Sequence, residues 1–200
     1  MSSKQAILAA IRAAGAPEAA APDLNRNWIT YDDKPRMFAE VLTSVGGKCV
    51  FVADHGEISA KLAEHPAFGA ARKIVSSLGE VPGNVDLGKL PDPHLTEDID
   101  FAILPGKFGV AENGAIWITD EGLRHRAIYF IVQHLVLVIP RREIVDNMYA
   151  AYRRLNLGAR RSDDRTFGAF IAGPSKTADI EQSLVIGAHG PRSLTVFLVG

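Results

Sequence analysis

Three groups of residues have the types and spacing to do chemistry. The first is Ala172-Gly173-Pro174-Ser175-Lys176-Thr177-Ala178-Asp179-Ile180-Glu181. An apolar strand leads in, Gly173-Pro174 makes a tight turn, and a helix is expected over residues 175–186. N–H groups at such a helix start bind anions, Ser175 and Thr177 can donate, Lys176 adds charge and Asp179 can orient a partner. Plain capping by Ser175 or Thr177, with Asp179 and Glu181 set against the helix dipole, accounts for the same residues. Ligand contact and capping both stand.

The second group is Gly187-Ala188-His189-Gly190-Pro191-Arg192. Gly190 permits close backbone approach, and Pro191 stiffens the turn. His189 suits a proton carrier or carboxylate ligand, and Arg192 an anion clamp; a histidine bonded to loop backbone is the plainer reading. If the strands flanking the Ser175 turn and this connection are parallel, the two loops lie at opposite ends of the sheet and share no pocket. The third group is Glu112 beside Asn113-Gly114, an acid, base or nucleophile candidate. A glutamate on an apolar strand is costly to bury unless paired; a strand-end residue facing water is the alternative.

Other patterns carry less. Gly83 to Lys89 has the spacing of a phosphate-binding loop. Leu90 stands where magnesium binding needs a hydroxyl, and Pro91 follows where a helix should begin. His125 and His134 match no metal-ligand spacing, and no metal site is expected. Arg124, Arg126, Arg141 and Arg142 read as solvated surface. Cys49, the sole cysteine, opens an apolar run and reads as a strand residue. Alone it can hold neither a zinc finger nor an iron–sulfur cluster.

The elements that must position these groups read as one α/β domain. The 200 residues are 47% hydrophobic and 22% charged, enough for a sizeable core. With a net charge of −1, no long-range field should recruit nucleic acid or an anionic membrane. No signal peptide or membrane span is visible, so a cytoplasmic location is expected. Residues 3–14 read as a helix with Ile7, Leu8 and Ile11 on one face, followed by a small-residue linker. An arm over residues 1–22 and an α/β domain over residues 23–200 are therefore expected.

Within that domain, helices are expected at residues 34–45, 57–65, 141–155 and 175–186. Apolar runs at 49–53, 73–76, 100–104, 135–139, 170–172 and 194–199 read as strands, with 79–96 irregular. Asn113-Gly114 between the runs 108–112 and 115–119 signals a hairpin. Alternating helices and buried strands imply a mostly parallel mixed sheet covered by helices.

The segment Ile171 to Glu181, followed by Gly187-Ala188-His189-Gly190-Pro191, closely resembles the signature of the LUD domain family, which includes lactate utilization protein C. Ala111-Glu112-Asn113-Gly114-Ala115 sits where that family has an Ala-Glu/Asp-Thr-Gly-Thr/Ser segment, with Asn113 and Ala115 in place of hydroxyl residues. The resemblance spans about residues 100–200. It implies a single three-layer fold like the sugar-phosphate isomerase and CoA-transferase group (NagB/RpiA/CoA transferase-like). It implies a role in oxidising L-lactate to pyruvate with iron–sulfur partner proteins, this chain itself binding no cofactor and taking a small carboxylate or phosphorylated ligand. Gly173, Ser175, Lys176, Thr177, Asp179, Gly190 and Arg192 are the ligand-binding candidates, Glu112 and His189 the catalytic ones. Glu112-Asn113-Gly114 also resembles the context of the attacking glutamate in CoA transferases, so a stand-alone acyl- or CoA-transferring enzyme is the alternative.

Overall fold

A computed structural model describes residues 3–15, 19–20, 22–24, 26–155, 167–178 and 184–200. Helix α1 (Ser3–Ala13) leads, and none of its residues is buried. Helix α2 (Lys34–Ser44) starts where the Asp33 carboxylate accepts the Arg36 N–H at 3.1 Å, with Pro35 in the first turn, where a missing N–H is harmless. Strand β1 (Lys48–Val52), helix α3 (Gly56–Ala63) and strand β2 (Ile74–Ser76) follow. The segment expected to be irregular holds two short 3-10 turns, Leu87–Lys89 and Pro93–Thr96.

The parallel sheet is assembled from β3 (Phe101–Pro105), β6 (His134–Pro140) and β11 (Ser193–Val199), with β1 and β2 at its edges. Its order is β1-β11-β6-β3-β2, and every neighbouring pair is parallel. Parallel strands buried on both faces read as unbroken apolar runs, as in Leu135 to Ile139. Leu135, Leu137 and Ile139 face a cluster with Phe38 and Leu42 of α2. Val136 and Val138 face the opposite cluster, with Ile58 and Leu62 of α3.

A second sheet covers the α2 side. Strands β4 (Phe108–Val110), β5 (Ala115–Thr119), β7 (Ile144–Val145) and β8 (Gly168–Ile171) lie in the order β7-β4-β5-β8. The short helix α4 (Ile128–Ile131) leads into β6. Ile116 and Ile118 of β5 join the α2 cluster, while Phe108 and Val110 pack outward on Ala151 and Leu155 of helix α5 (Met148–Leu155). The expected hairpin is present as the antiparallel pair β4 and β5, joined by residues 111–114. At Gly114 (φ 66), a Cβ would meet the Leu42 backbone N at 2.8 Å, so this turn requires glycine against α2.

Two expected helices are corrected. Residues 141–155 do not form one helix: a 3-10 turn Arg141–Glu143 and strand β7 precede α5. Ile144 and Val145 pair with Gly109 and Val110, and Asn147, whose Oδ1 accepts the Ala150 N–H at 2.9 Å, delays the helix start. The described parts of residues 175–186 are not helical either. Strand β9 (Lys176–Thr177) pairs antiparallel with β10 (Val185–Ile186), Thr177 opposite Val185 and Lys176 opposite Ile186. The β-branched residues suit that pairing. Residues 179–183, Asp179 among them, lie outside the described residues. Among the described residues, no helix is long and apolar enough to cross a membrane.

Candidate ligand cavities at the amino edge of the parallel sheet

Register brings distant polar residues together. Phe101 pairs with His134, and His134 with Ser193, so the first residues of β3, β6 and β11 share one edge of the sheet. The connection 187–192 runs along this edge. It is tied to β6 by the Arg192 N–H, which donates to the Gln133 carbonyl at 2.8 Å.

Strand β8 belongs to the second sheet, antiparallel to β5, and not to the parallel sheet. The turn after it therefore reaches the same edge as His189, and the expected separation of the two loops is corrected. The Ser175 N–H donates to the Pro191 carbonyl at 2.9 Å, and the Gly187 N–H to the Ser175 carbonyl at 2.9 Å. Between the loops lies a cavity of about 250 Å³, lined by Tyr129, Phe130, Phe170, Ile171, Ala172, Gly173, Pro174, Ser175, His189, Gly190 and Pro191. Most of that lining is apolar, with the Ser175 hydroxyl and the His189 imidazole as polar side chains, the usual make-up of a small-molecule site. The volume is below the roughly 300–1,000 Å³ of drug-sized sites, so it suits a small occupant.

Two glycines of the signature have geometric reasons. Gly173 holds φ 75, and a Cβ there would meet the Val45 carbonyl oxygen at 2.6 Å. At Gly190 a Cβ would meet the Phe130 carbonyl oxygen at 2.9 Å and the Ser175 Cβ at 2.9 Å. Tyr129, also in the lining, is buried and its hydroxyl donates to the Thr119 carbonyl at 3.1 Å. Burial, then the charge of Asp120, pushes its pKa up to about 12, so the hydroxyl stays protonated.

The other candidates are distributed differently. Lys176 and Thr177 lie in β9, just past the cavity lining, and offer no helix N-terminus to an anion. Arg192 lines a neighbouring cavity of about 450 Å³ with Ala67, Ala70, Ala71, Asp98, Asp100, Gln133 and His134. Glu112 is exposed and lines neither cavity. Its Oε2 accepts the Met148 N–H at 2.8 Å, the position of an acceptor at the start of α5. The four arginines around the long apolar stretch are exposed, as expected.

Sequence reasoning missed His134, Asp100 and His65. His134 Nδ1 lies 2.8 Å from the Ser193 hydroxyl oxygen, and its ring stacks on Phe101 at 4.7 Å. Its pKa is lowered by burial first, then by His65 and Arg192, against a raising effect of Asp100. The His65 pKa is lowered too, by burial and then Lys48, and its Nδ1 accepts the Ala67 N–H at 3.2 Å. Asp100 accepts the Arg72 and Lys73 N–H groups, and the Lys73 bond leads in holding its carboxyl below the usual range. The available signal was a polar residue just before or at the start of consecutive buried strands.

Comparison with known proteins identifies the fold and the family. The chain is 29% identical to lactate utilization protein C from Bacillus pumilus over 118 residues, 58% of this chain and 49% of that protein. It is 33% identical to the same-named protein from Halalkalibacterium halodurans over 97 residues, 48% of this chain and 42% of that protein. The chain thus spans about half the length of the curated relatives it matches. The crystal structure of a DUF162 family protein from Deinococcus radiodurans superposes with a TM-score of 0.64 at 16% identity, covering 84% of this chain and 96% of that one, so the fold is shared. The LUD domain model matches residues 94–199 of the 200, a span that holds both signature loops and the three central strands. The chain belongs to the LUD domain family.

Proposed function

We propose that this chain is a component of a lactate-utilisation system and serves it by binding a small carboxylate in the cavity between the Ser175 and His189 loops. One observation carries the reading: two segments on either side of the β9 and β10 pair, both in the family signature, close around one small cavity with a hydroxyl and an imidazole on its wall. Ser175 donates to the carboxylate, His189 binds it or carries a proton, and Phe130, Phe170 and Pro191 exclude water from the apolar end. The names of the relatives support lactate utilisation as the process, and oxidation of L-lactate to pyruvate is the reaction this reading assigns to it.

The oxidation itself needs an electron acceptor, and a single cysteine cannot supply the four thiolates of an iron–sulfur cluster. Iron–sulfur partner proteins provide that step in this account, and the chain presents the ligand to them. Deleting the gene from its native host tests the function. The expected result is loss of growth on L-lactate with normal growth on pyruvate, restored by the wild-type gene and not by a Ser175→Ala, His189→Ala double variant. Normal lactate growth of the deletion strain refutes the role. A tagged pull-down from lactate-grown cells tests the partners, and recovery of the chain with no iron–sulfur protein contradicts that part.

A further inference from the structure

The larger cavity shares no lining residue with the signature cavity, and its chemistry is different. Opposite charges face it without neutralising each other. Arg192 comes from the connection and Asp100 from the residue before β3, while the other carboxylate of the lining, Asp98, is paired with Lys73. No described carboxylate lies within ion-pair distance of Arg192. Asp100 takes both of its backbone N–H bonds on Oδ2, at 2.7 and 2.9 Å, which leaves Oδ1 without a hydrogen bond among the described residues. Its carboxyl is held ionised by those bonds. His134 lines the same cavity and responds to both charges: Arg192 favours its neutral form and Asp100 its charged form. Its Nδ1 is engaged with Ser193, leaving Nε2 as the nitrogen without a partner among the described residues. Ala67, Ala70 and Ala71 add a wall of methyl groups.

A guanidinium and a free carboxylate oxygen on one cavity call for a ligand with the complementary pair of groups. We propose that this cavity binds a small organic acid carrying a hydrogen-bond donor next to its carboxylate, with Arg192 taking the carboxylate and Asp100 the neighbouring hydroxyl or ammonium. The alanine wall accommodates a short apolar substituent. His134 contacts the same ligand. A simple carboxylic acid lacks the donor and leaves Asp100 Oδ1 unsatisfied, so the site discriminates against it. The site does not depend on the lactate reading above, and the two fail separately.

The test is a proton–carbon correlation spectrum of the histidine rings of the full chain, titrated with L-lactate, L-alanine and propionate. His134 and His65 report this cavity, and His189 reports the signature cavity. L-lactate or L-alanine, up to about 50 mM, is expected to shift His134 saturably, and propionate to bind at least roughly tenfold more weakly. Which of the two binds tells a hydroxy acid from an amino acid. Arg192→Gln is expected to weaken binding roughly ten- to hundredfold, with Arg192→Lys between it and wild type. Asp100→Asn keeps an acceptor for the Arg72 and Lys73 N–H groups, so the fold survives while donor selectivity is lost. An unmoved His134 with all three probes overturns the proposal, as does equal binding of propionate or undiminished binding by Arg192→Gln. A shift of His189 alone overturns it and leaves the signature cavity in place.

Discussion

Replacing Gly190 by alanine probes the contact that holds the two signature loops together. A Cβ at this position would meet the Phe130 carbonyl oxygen at 2.9 Å, the Ser175 Cβ at 2.9 Å and the Ser175 Oγ at 3.1 Å, whereas ordinary contact begins at 3.4 Å. The obstacle on one side is backbone. On the other, the Ser175 N–H is tied to the Pro191 carbonyl at 2.9 Å, one residue past the new methyl. Neither side yields without opening the loop pair by about half an ångström. Overpacking of this kind costs about 1–3 kcal/mol, which in a chain of this size lowers the melting temperature by roughly 2–12 °C. Gly69→Ala is the control, because a Cβ there meets nothing within 4 Å, and its effect should stay within about 0.5 kcal/mol. Both variants are compared by urea and thermal unfolding, with the His189 ring resonance as a local probe. The Gly190 variant should lose stability and shift His189 even without ligand. If it unfolds with wild type while His189 is unmoved, the close approach of the loops is wrong.

Three further predictions follow from the same geometry. The Cys49 thiol, pushed up to about 12 by burial, should resist a thiol-specific disulfide reagent at about pH 8 and react at once on unfolding; fast labelling of the folded chain would contradict this. His134 and His65 have folded pKa values lowered from 6.5, so the unfolded chain binds more protons just below that pH. Their contribution is present above 6.5 and is lost as the pH falls through the lowered values, so the urea midpoint should drop on acidification and drop less in His134→Gln. Glu112→Ala removes the acceptor at the start of α5 and should cost about 1 kcal/mol in urea unfolding, while Glu112→Gln, which keeps an acceptor for the Met148 N–H, should cost less. A mass adduct on Glu112 after incubation with acyl-CoA would instead assign that carboxylate to group transfer.

Much of the fold was legible because single segments decide it. The run Leu135 to Ile139 is too apolar for a half-exposed strand, and the alternation of Phe38 and Leu42 with polar residues suits one buried helix face. What could not be read was decided by partners distant in the chain. Ile144 and Val145 fit the helical period running to Leu155, yet they pair with β4 because Gly109 and Val110 present an open edge. The Ser175 turn has the look of a helix cap, but Thr177 finds Val185 across a hairpin. Moving β8 into the second sheet then reversed the placement of its loop and joined Ser175 to His189. The signature residues Gly173, Ser175, His189 and Gly190 could be named from the chain alone. Arg192 could be named too, but not its company with Asp100 and His134, because only the register of β3, β6 and β11 brings these residues to one end of the sheet.

The most direct measurement is the His189 ring resonance of the intact chain, titrated with L-lactate and with pyruvate, in wild type and in Ser175→Ala. The account predicts a saturable shift of His189 with at least one of the two, weakened about tenfold by the loss of the Ser175 hydroxyl. A His189 resonance that stays fixed with both acids would contradict the assignment of this cavity as the carboxylate site.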